Sequence, residues 1–597
     1  MRRLIISILI CVLSAVHISA QHDSMQAIAA FLGIDSMEET DIDEVERLEA
    51  LMRNPVRINQ VSSFRLKETG LLTQYQIASL LDYRSRHGDV MSFSELAALD
   101  GFGHQTVTRL APFISLETVR LASQRVKDSL YLKHEMTLKS GFAAGKAATY
   151  GLKYRLDAGE YVSASLSVSR TSESSSLQPD AFSGNMTFRF RKSAGAVTIG
   201  DFNARFGQGL AFWNGMSIGG VPVPSSMMKR PAGISASSSF TGKYALRGIA
   251  GYLAFGRIRI SPFLALSVPR EGVGLLPGLN IAMMLRNGQI SFTHYSDMSL
   301  SSVESHLTDM KTSADIAFCF RGTDVFAEAA YDWKSASLAC LGGVVFPAGD
   351  DVRIGCVGRS YPTEYSSTRS AALRSLTKCS NEYSISLSGE FTSGNWIDLK
   401  GREGFGSSVR RNSGMLSLDA AFFPESKGEE GVKSIQFKVK ADWAIMLSSA
   451  WKMKLRLSER VRTWDEPFRS EIRAEIIYDA GLLTLISRTD AVKCKGLSLL
   501  SYVESGYRND YFAMYLRCGI FKADDWVDRI YVYERDAPGS FNVPAYYGRG
   551  IWSAAVLRWR FARWGKAYLR ASLCSYALMK EPKPGKAELR FQVEFDI

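Results

Sequence analysis

Two periods of apolar residues divide the chain. From residue 25 to 117 they recur at helical spacing: Val45, Leu48, Leu51 and Met52 form one stripe, and Ile77, Leu80 and Leu81 another. Asn54-Pro55 ends the first helix, because proline cannot continue it and restrains the residue before it. Thr73 is placed to cap the helix that holds Ile77, and Ser92 or Ser94 to cap the one that opens at Glu95-Leu96. The pattern predicts a small all-helical domain over 21–120.

From residue 128 to 597 the period is two. In KAELRFQVEFDI, at the chain end, Ala587, Leu589, Phe591, Val593, Phe595 and Ile597 share one face, and charged or polar residues fill the other. IQFKVKADW (435–443) and WKMKLRLS (451–458) repeat the pattern. Segments of this length, separated by turn residues, predict a large antiparallel transmembrane β-barrel of roughly 22–26 strands, the number being even. A soluble sandwich would have shorter strands. A propeller would show a fixed repeat, which this sequence lacks. Trp443, Trp451, Trp559, Trp564, Tyr568 and Tyr576 fall at strand ends, where interfacial girdles sit. With the first strand running outward from the periplasm, the links 171–183, 202–233 and 522–548 fall outside. The turns near 157–160 and 562–565 fall inside, and both barrel termini share the periplasmic side.

The first twenty residues carry Arg2 and Arg3, an apolar run from Leu4 to Val16, and Ala20 at the close. This is the layout of a cleaved signal peptide over 1–20, with an uncleaved anchor as the alternative. It directs the chain to a bacterial periplasm or outer membrane. Charge then separates the two regimes. Residues 21–117 hold eight Lys/Arg against fifteen Asp/Glu, or −7, which leaves +17 for 118–597 out of the chain's +12. Seven cysteines follow the signal, widely spaced and without a CxxC pair, which fits neither a zinc site nor a disulfide framework. The histidines show no ligand spacing, so no metal and no cofactor is expected.

Residues 96–110, LAALDGFGHQTVTRL, have the form of a helix-hairpin-helix unit. Gly101, Phe102 and Gly103 make the turn, and Leu96, Leu99, Val107 and Leu110 pack the two helices. His104, Gln105 and Thr106 open the second helix, whose amides are available to a phosphate. LKETGLLTQYQIASLLDYR (66–84) is an upstream copy that keeps Gly70 but has Leu72 in place of the second glycine. With INQVSSFRL (58–66), this layout resembles the ComEA-type competence proteins, whose tandem helix-hairpin-helix fold binds double-stranded DNA. The resemblance implies a phosphate cradle at Gly101, Gly103, His104 and Gln105, with Arg109 as a cationic neighbour and Gly70 as its counterpart upstream. Charge opposes it: from Asn54 to Glu117 six basic residues meet six acidic ones, and DNA affinity comes mainly from excess Lys and Arg.

GDFNARFGQGLAFWNG (200–215) and DRIYVYERDAPGSFNVPAYYGRG (528–550) resemble segments of large outer-membrane barrels that carry an N-terminal helix-hairpin-helix domain. By residue chemistry, Gly207 and Gly209 mark a sharp bend. Asp201, Arg205 and Gln208 bond inside the barrel, and the rings of the second segment either stack on a ligand, fold the loop onto the rim or dip into lipid headgroups. If the apolar faces meet lipid, Lys438, Lys440, Lys452, Lys454, Arg456, Arg558 and Arg560 line the lumen, as do Arg570 and Arg590. Such a lumen favours anions unless Asp442, Glu588, Glu594 and other acids pair with it. A barrel this wide is commonly plugged, and the helical domain or 202–233 is the candidate plug.

The resulting expectation is a non-enzymatic outer-membrane barrel, acting as channel, receptor or assembly partner, with the helical domain in the periplasm. Its expected partners are outer-membrane lipid and periplasmic or outer-membrane proteins. The alternative is a DNA-binding or DNA-uptake protein that uses the hairpin domain and a basic lumen. No Ser/His/Asp or paired-carboxylate arrangement points to an enzyme.

Overall fold

Along the strand Lys586–Asp596, Leu589 and Phe591 are 44% and 46% exposed, while Gln592 and Glu594 are 2% and 4% exposed. This inversion of the usual rule runs round the molecule. Leu483, Leu485, Leu499, Val503, Leu516 and Ile520 all point outward on neighbouring strands, and Asp490, Glu504 and Arg517 point inward. A surface of this kind is stable against hydrocarbon, and strands suit it only if no edge is left unpaired. The sheet meets that demand by closing. Strands from Leu132–Ala143 to Lys586–Asp596 form an antiparallel barrel of 24 strands, and the last pairs with the first through Leu589–Phe142 and Val593–Leu138.

The structure, a computed structural model, describes residues 24–118 and 132–596 apart from 35–37, 39–41, 160, 171–177, 191–193, 216–220, 238, 241–243, 268–272, 301–304, 350, 394–411, 428–432, 467, 577 and 579–583. The expected signal peptide lies outside the described residues.

The turns after Ala158, Phe255, Leu285, Met446 and Ala562 share one end of the barrel with its two termini. The segments after Arg170, Arg205, Tyr361 and Ala523 share the other. The segment after Arg205, expected as an outside link or as a plug, turns into the lumen. Residues 206–213 run inward, with Leu210, Ala211 and Phe212 fully buried, and pair with 362–381 through Trp213 N–H to Arg369 O and Ala371 N–H to Gly209 O. A short helix, Pro224–Met227, continues the same segment. Apolar burial that the outer wall cannot supply is recovered inside, in two clusters built around Leu210 and Phe212.

The girdle expectation holds for four of its six rings. Trp443, Trp451, Trp559 and Trp564 are exposed on the outer face, but Tyr568 and Tyr576 are buried inside. Parity is the reason: Leu569 and Leu573 take the outward positions of the strand Gly565–Ser575, so Tyr568 points inward, where its hydroxyl donates to Glu594.

The described residues of 24–118 hold six α-helices: α1 (Ser24–Leu32), α2 (Ile42–Arg53), α3 (Ser63–Glu68), α4 (Gln74–His87), α5 (Phe93–Ala97) and α6 (Gly103–Leu110). Helix α2 stops at Arg53, before Asn54-Pro55. Thr73 and Ser92 cap α4 and α5, each with a reciprocal bond from its N3 side chain, Gln76 or Glu95. The helices close over one core that contains Leu48, Leu66, Leu80, Leu96, Val107 and Phe113. A two-residue parallel pairing of Val56-Arg57 with Ile114-Ser115 ties its ends.

Candidate functional site

The helical unit is lodged in the barrel, not held apart in the periplasm. Its acidic stretch, within residues 38–54, meets inward-facing side chains from strands along one half of the ring. Glu38 Oε1 accepts from Arg488 Nη1 at 2.8 Å, and Arg473 Nη1 lies 3.6 Å from Glu38 Oε2. Glu44 Oε2 accepts from Arg205 Nη1 at 2.7 Å. Glu46 pairs with Lys153 at 3.9 Å, and Arg53 with Glu594 at 3.7 Å. Asn54 Nδ2 donates to Glu135 at 2.7 Å, and Asn54 accepts from Lys133.

These contacts explain the charge asymmetry. A unit of −7 neutralises part of a barrel of +17. Burial pushes the Glu38 carboxyl up, but Arg473 and Arg488 outweigh it and hold the group well below the ordinary range. Arg47 and Arg205 do the same for Glu44. Glu49 differs. It accepts from the Gly539 N–H at 2.7 Å, and burial pushes its carboxyl up to about 7.

Gly539 belongs to the long segment between Ala523 and Gly548, whose inner part reaches down to the helical unit. Tyr533 N–H donates to Glu38 at 3.0 Å, and the Tyr533 and Phe541 rings, 5.8 Å apart, pack on the helical core. Tyr546 packs on Trp552 with centroids 4.4 Å apart. These rings pack inward, on the helical core and the inner wall, and not on the rim, while Trp526 and Tyr531 remain exposed.

The inward segment 206–213 is held by one carboxylate. Glu328 accepts the backbone N–H groups of Gln208 at 2.6 Å, Leu210 at 3.0 Å and Ala211 at 3.1 Å. Gly207 has φ +56°, and a Cβ there would lie 2.8 Å from Glu328 Oε2. Only glycine lets the backbone wrap so closely round the acid. Gln208 accepts from Lys229 N–H at 2.9 Å, and Asp201 binds Arg247 at 2.7 Å.

The hairpin residues separate. Gly101 and Gly103 adopt φ +81° and +68°, Phe102 is buried beneath them, and Gly103 and His104 are exposed at the barrel end that carries the short turns. Gly101 O accepts from Gln76 Nε2 at 2.8 Å. Gln105 and Arg109 face the wall: Gln105 Nε2 donates to Thr392 at 2.6 Å, and Arg109 lies 3.6 Å from Glu390. Gly70 is buried against the wall side, near Arg47 and Arg230. The upstream hairpin therefore faces the barrel, and the two turns do not form a joint surface.

The basic lumenal residues mostly meet partners. Arg456 Nε donates to Asp442 at 2.5 Å, Lys440 lies 3.8 Å from Asp442, and Lys454 lies 3.8 Å from Glu475. Lys438 donates to Ser375 O at 3.0 Å, and Arg558 to Asn509 O at 3.4 Å. Lys452 and Arg560 share the inward parity and are half-buried. Arg570 and Arg590 both bind Glu588. Among the described residues no His, Cys, Asp and Glu group is arranged to hold a metal.

Comparison with solved structures returns barrels of similar form. A siderophore receptor, PirA from Pseudomonas aeruginosa, is 8% identical over 78% of this chain and 80% of its own, with a TM-score of 0.38. The copper transporter OprC is 9% identical over 79% and 80%, with a TM-score of 0.39. The P pilus usher PapC is 9% identical over 78% and 99%, with a TM-score of 0.36. Likeness at this level says nothing of ligand or activity. No protein-family model and no curated protein matches the chain, so the ComEA-type resemblance rests on the quoted residues alone.

The acidic stretch is what the sequence reading missed as a site. Its signal was present: opposite net charges on two parts of one chain, with the acids clustered just before Pro55.

Proposed function

We propose that this protein is a non-enzymatic outer-membrane barrel, a channel or receptor kept shut by its own N-terminal helical unit. The observation that carries the reading is the set of polar contacts from Glu38, Glu44, Glu46, Arg53 and Asn54 to strands along one half of the barrel, together with those of Lys67 to Gln289 and Arg109 to Glu390 on the other half. The apolar outer wall supports placement in a bilayer. The segment 533–541 touches both the outer loop region and the unit, so a ligand arriving from outside has a mechanical route to it.

Conductance in a planar bilayer tests the reading. The full chain is expected to be closed or nearly so. A chain carrying Glu38→Gln with Glu44→Gln, or lacking 21–118, is expected to open. Equal conductance in all three would sink it.

The DNA-handling alternative retains only the exposed amides at Gly103 and His104, in a unit of net negative charge. A salt-dependent shift assay on the full chain separates the readings. No shift at low salt is the expected result.

A further inference from the structure

The plug and wall meet near Glu68 with an excess of positive charge. Arg65 donates to Glu68 at 2.9 Å, and Arg189 of the wall lies 3.7 Å from the same carboxylate. Lys67, one residue away, donates to the Gln289 amide oxygen and lies 3.5 Å from the Met284 sulfur. Arg259 completes the group from the strand Ile258–Ser267. It is 2% exposed, and its guanidinium sits 4.1 Å from the centre of the Tyr252 ring, which stacks on Phe64 of α3.

Arg65, Arg189 and Arg259 thus act on one carboxylate, Glu68, and Lys67 lies beside Arg259. The next acids are Asp157, which pairs with Arg155 at 3.0 Å, and Asp315, which accepts from Ser291 and faces Lys67. Among the described residues, Nε, Nη1 and Nη2 of Arg259 meet no hydrogen-bond acceptor. A buried guanidinium with every donor unused is costly, and a ring face offsets only part of that cost. Burial, together with the Arg259 charge, pushes the Lys67 ammonium down to about 7 against the pull of Asp315.

The group is also reachable. Lys67 lines a narrow cleft of about 30 Å³ between α4 and the turn ends of the strands Val273–Leu285 and Gly288–Leu300. Lys229 and Arg230 line the same cleft, opposed there by Asp324. Lys229 Nζ is engaged by Ala371 O and Arg230 Nη1 by Leu71 O, so an anion in the cleft would meet Lys67.

We propose that Arg259 and Lys67 form a binding site for a phosphate-type oxyanion, which bridges the barrel wall to the helical unit. The planar guanidinium offers two parallel N–H donors to two oxygens of one tetrahedral group, and the ammonium offers a third contact from the opposite side. A doubly charged oxyanion suits the excess of cations better than chloride does. The site stands whether or not the pore conducts. Its occupant is inorganic phosphate or the phosphate ester of a small organic molecule.

Isothermal titration of the full chain in detergent tests this, with inorganic phosphate, glycerol phosphate and chloride as separate titrants. Saturable binding of one phosphate per chain is expected, weaker by at least about tenfold in Arg259→Gln and in Lys67→Gln. Chloride is expected to give no saturable heat. Tighter binding of glycerol phosphate than of inorganic phosphate assigns the site to an ester, and the reverse to the free ion. Heat-modifiable electrophoresis checks that each barrel is folded. If Arg259→Gln does not fold, Lys67→Gln carries the test, because Lys67 lies outside the barrel sheet. Absence of saturable phosphate binding, binding unchanged in the folded variants, or equal binding of chloride would each overturn the proposal.

Discussion

Glu44 Oε2 lies 2.7 Å from Arg205 Nη1, across the boundary between the helical unit and the barrel wall. Arg205 ends the strand Gly195–Arg205, immediately before the chain turns inward at Phe206. One ion pair therefore joins the unit, the wall and the inward segment. Glu44→Gln leaves Arg205 buried without its counter-charge, which costs about 3–5 kcal/mol for a broken buried pair. The expected result is faster protease cleavage within 38–54 while the barrel remains heat-modifiable. Unchanged cleavage would show that the pair does not hold the unit.

Glu49 makes docking depend on pH. Burial first, then Glu46 and Glu594, push its carboxyl from 4.5 up to about 7, against the Gly539 amide and Arg53. The docked state holds a proton that the withdrawn state has released. This contribution is fully present below 4.5 and is lost as pH rises through 7. Its size is at most about 3 kcal/mol. Cleavage within 38–54 should therefore quicken between about pH 5 and pH 8, and Glu49→Gln should flatten that rise. A wild-type rate independent of pH over the same range would refute the assignment.

Glu328 is the anchor of 206–213. Glu328→Gln replaces an acceptor-only carboxylate with an amide, whose NH₂ cannot accept from Gln208, Leu210 or Ala211. Bonds to a charged acceptor contribute about 1.5–3 kcal/mol each, so a loss of about 2–4 kcal/mol is expected after partial rearrangement. Hydrogen exchange at these three amides should accelerate ahead of the neighbouring strands. Exchange that stays slow in the variant would contradict the anchoring role.

The exposed hairpin is docked through its side chains. Gln105→Ala combined with Arg109→Ala removes the contacts to Thr392 and Glu390 and should loosen α6 by about 1 kcal/mol, because the ion pair is partly solvated. Phe102→Ala acts inside the unit and should cost about 3–5 kcal/mol, as for any buried phenylalanine. Thermal melting of the helical signal distinguishes the two: a small shift for the pair, a large one for Phe102. The reverse order would mean that the wall, not the core, sustains the hairpin.

Much of this was legible in the residues. The alternation in KAELRFQVEFDI carries the outward and inward faces directly, because strand parity leaves no third choice. Gly101, Gly103, Thr73 and Ser92 announced their turns and caps, since those backbone states admit few residue types. Tyr568 was misassigned because position along the chain was weighed over parity. The inward fold of 206–213 was harder to read. Arg205 and Gln208 were placed inside, but their partners, Glu44 and Lys229, are set by docking of the helical unit and by the inward turn rather than by local pattern. Asp201, also placed inside, instead shares the outward parity of Ile199 and binds its cross-strand neighbour Arg247. Arg259 gave no local sign, since one arginine on a lumen-facing strand position resembles any other.

The end of α2 has a consequence for assembly. Arg53 reaches Glu594 on the last strand, and Asn54 reaches Lys133 and Glu135 on the first. Those two strands meet only where the cylinder seals. A segment made near the start of synthesis therefore acts as a clasp on a seam completed at its end. Its final fit cannot precede closure, and once made it opposes the parting of the two strands most exposed to unzipping.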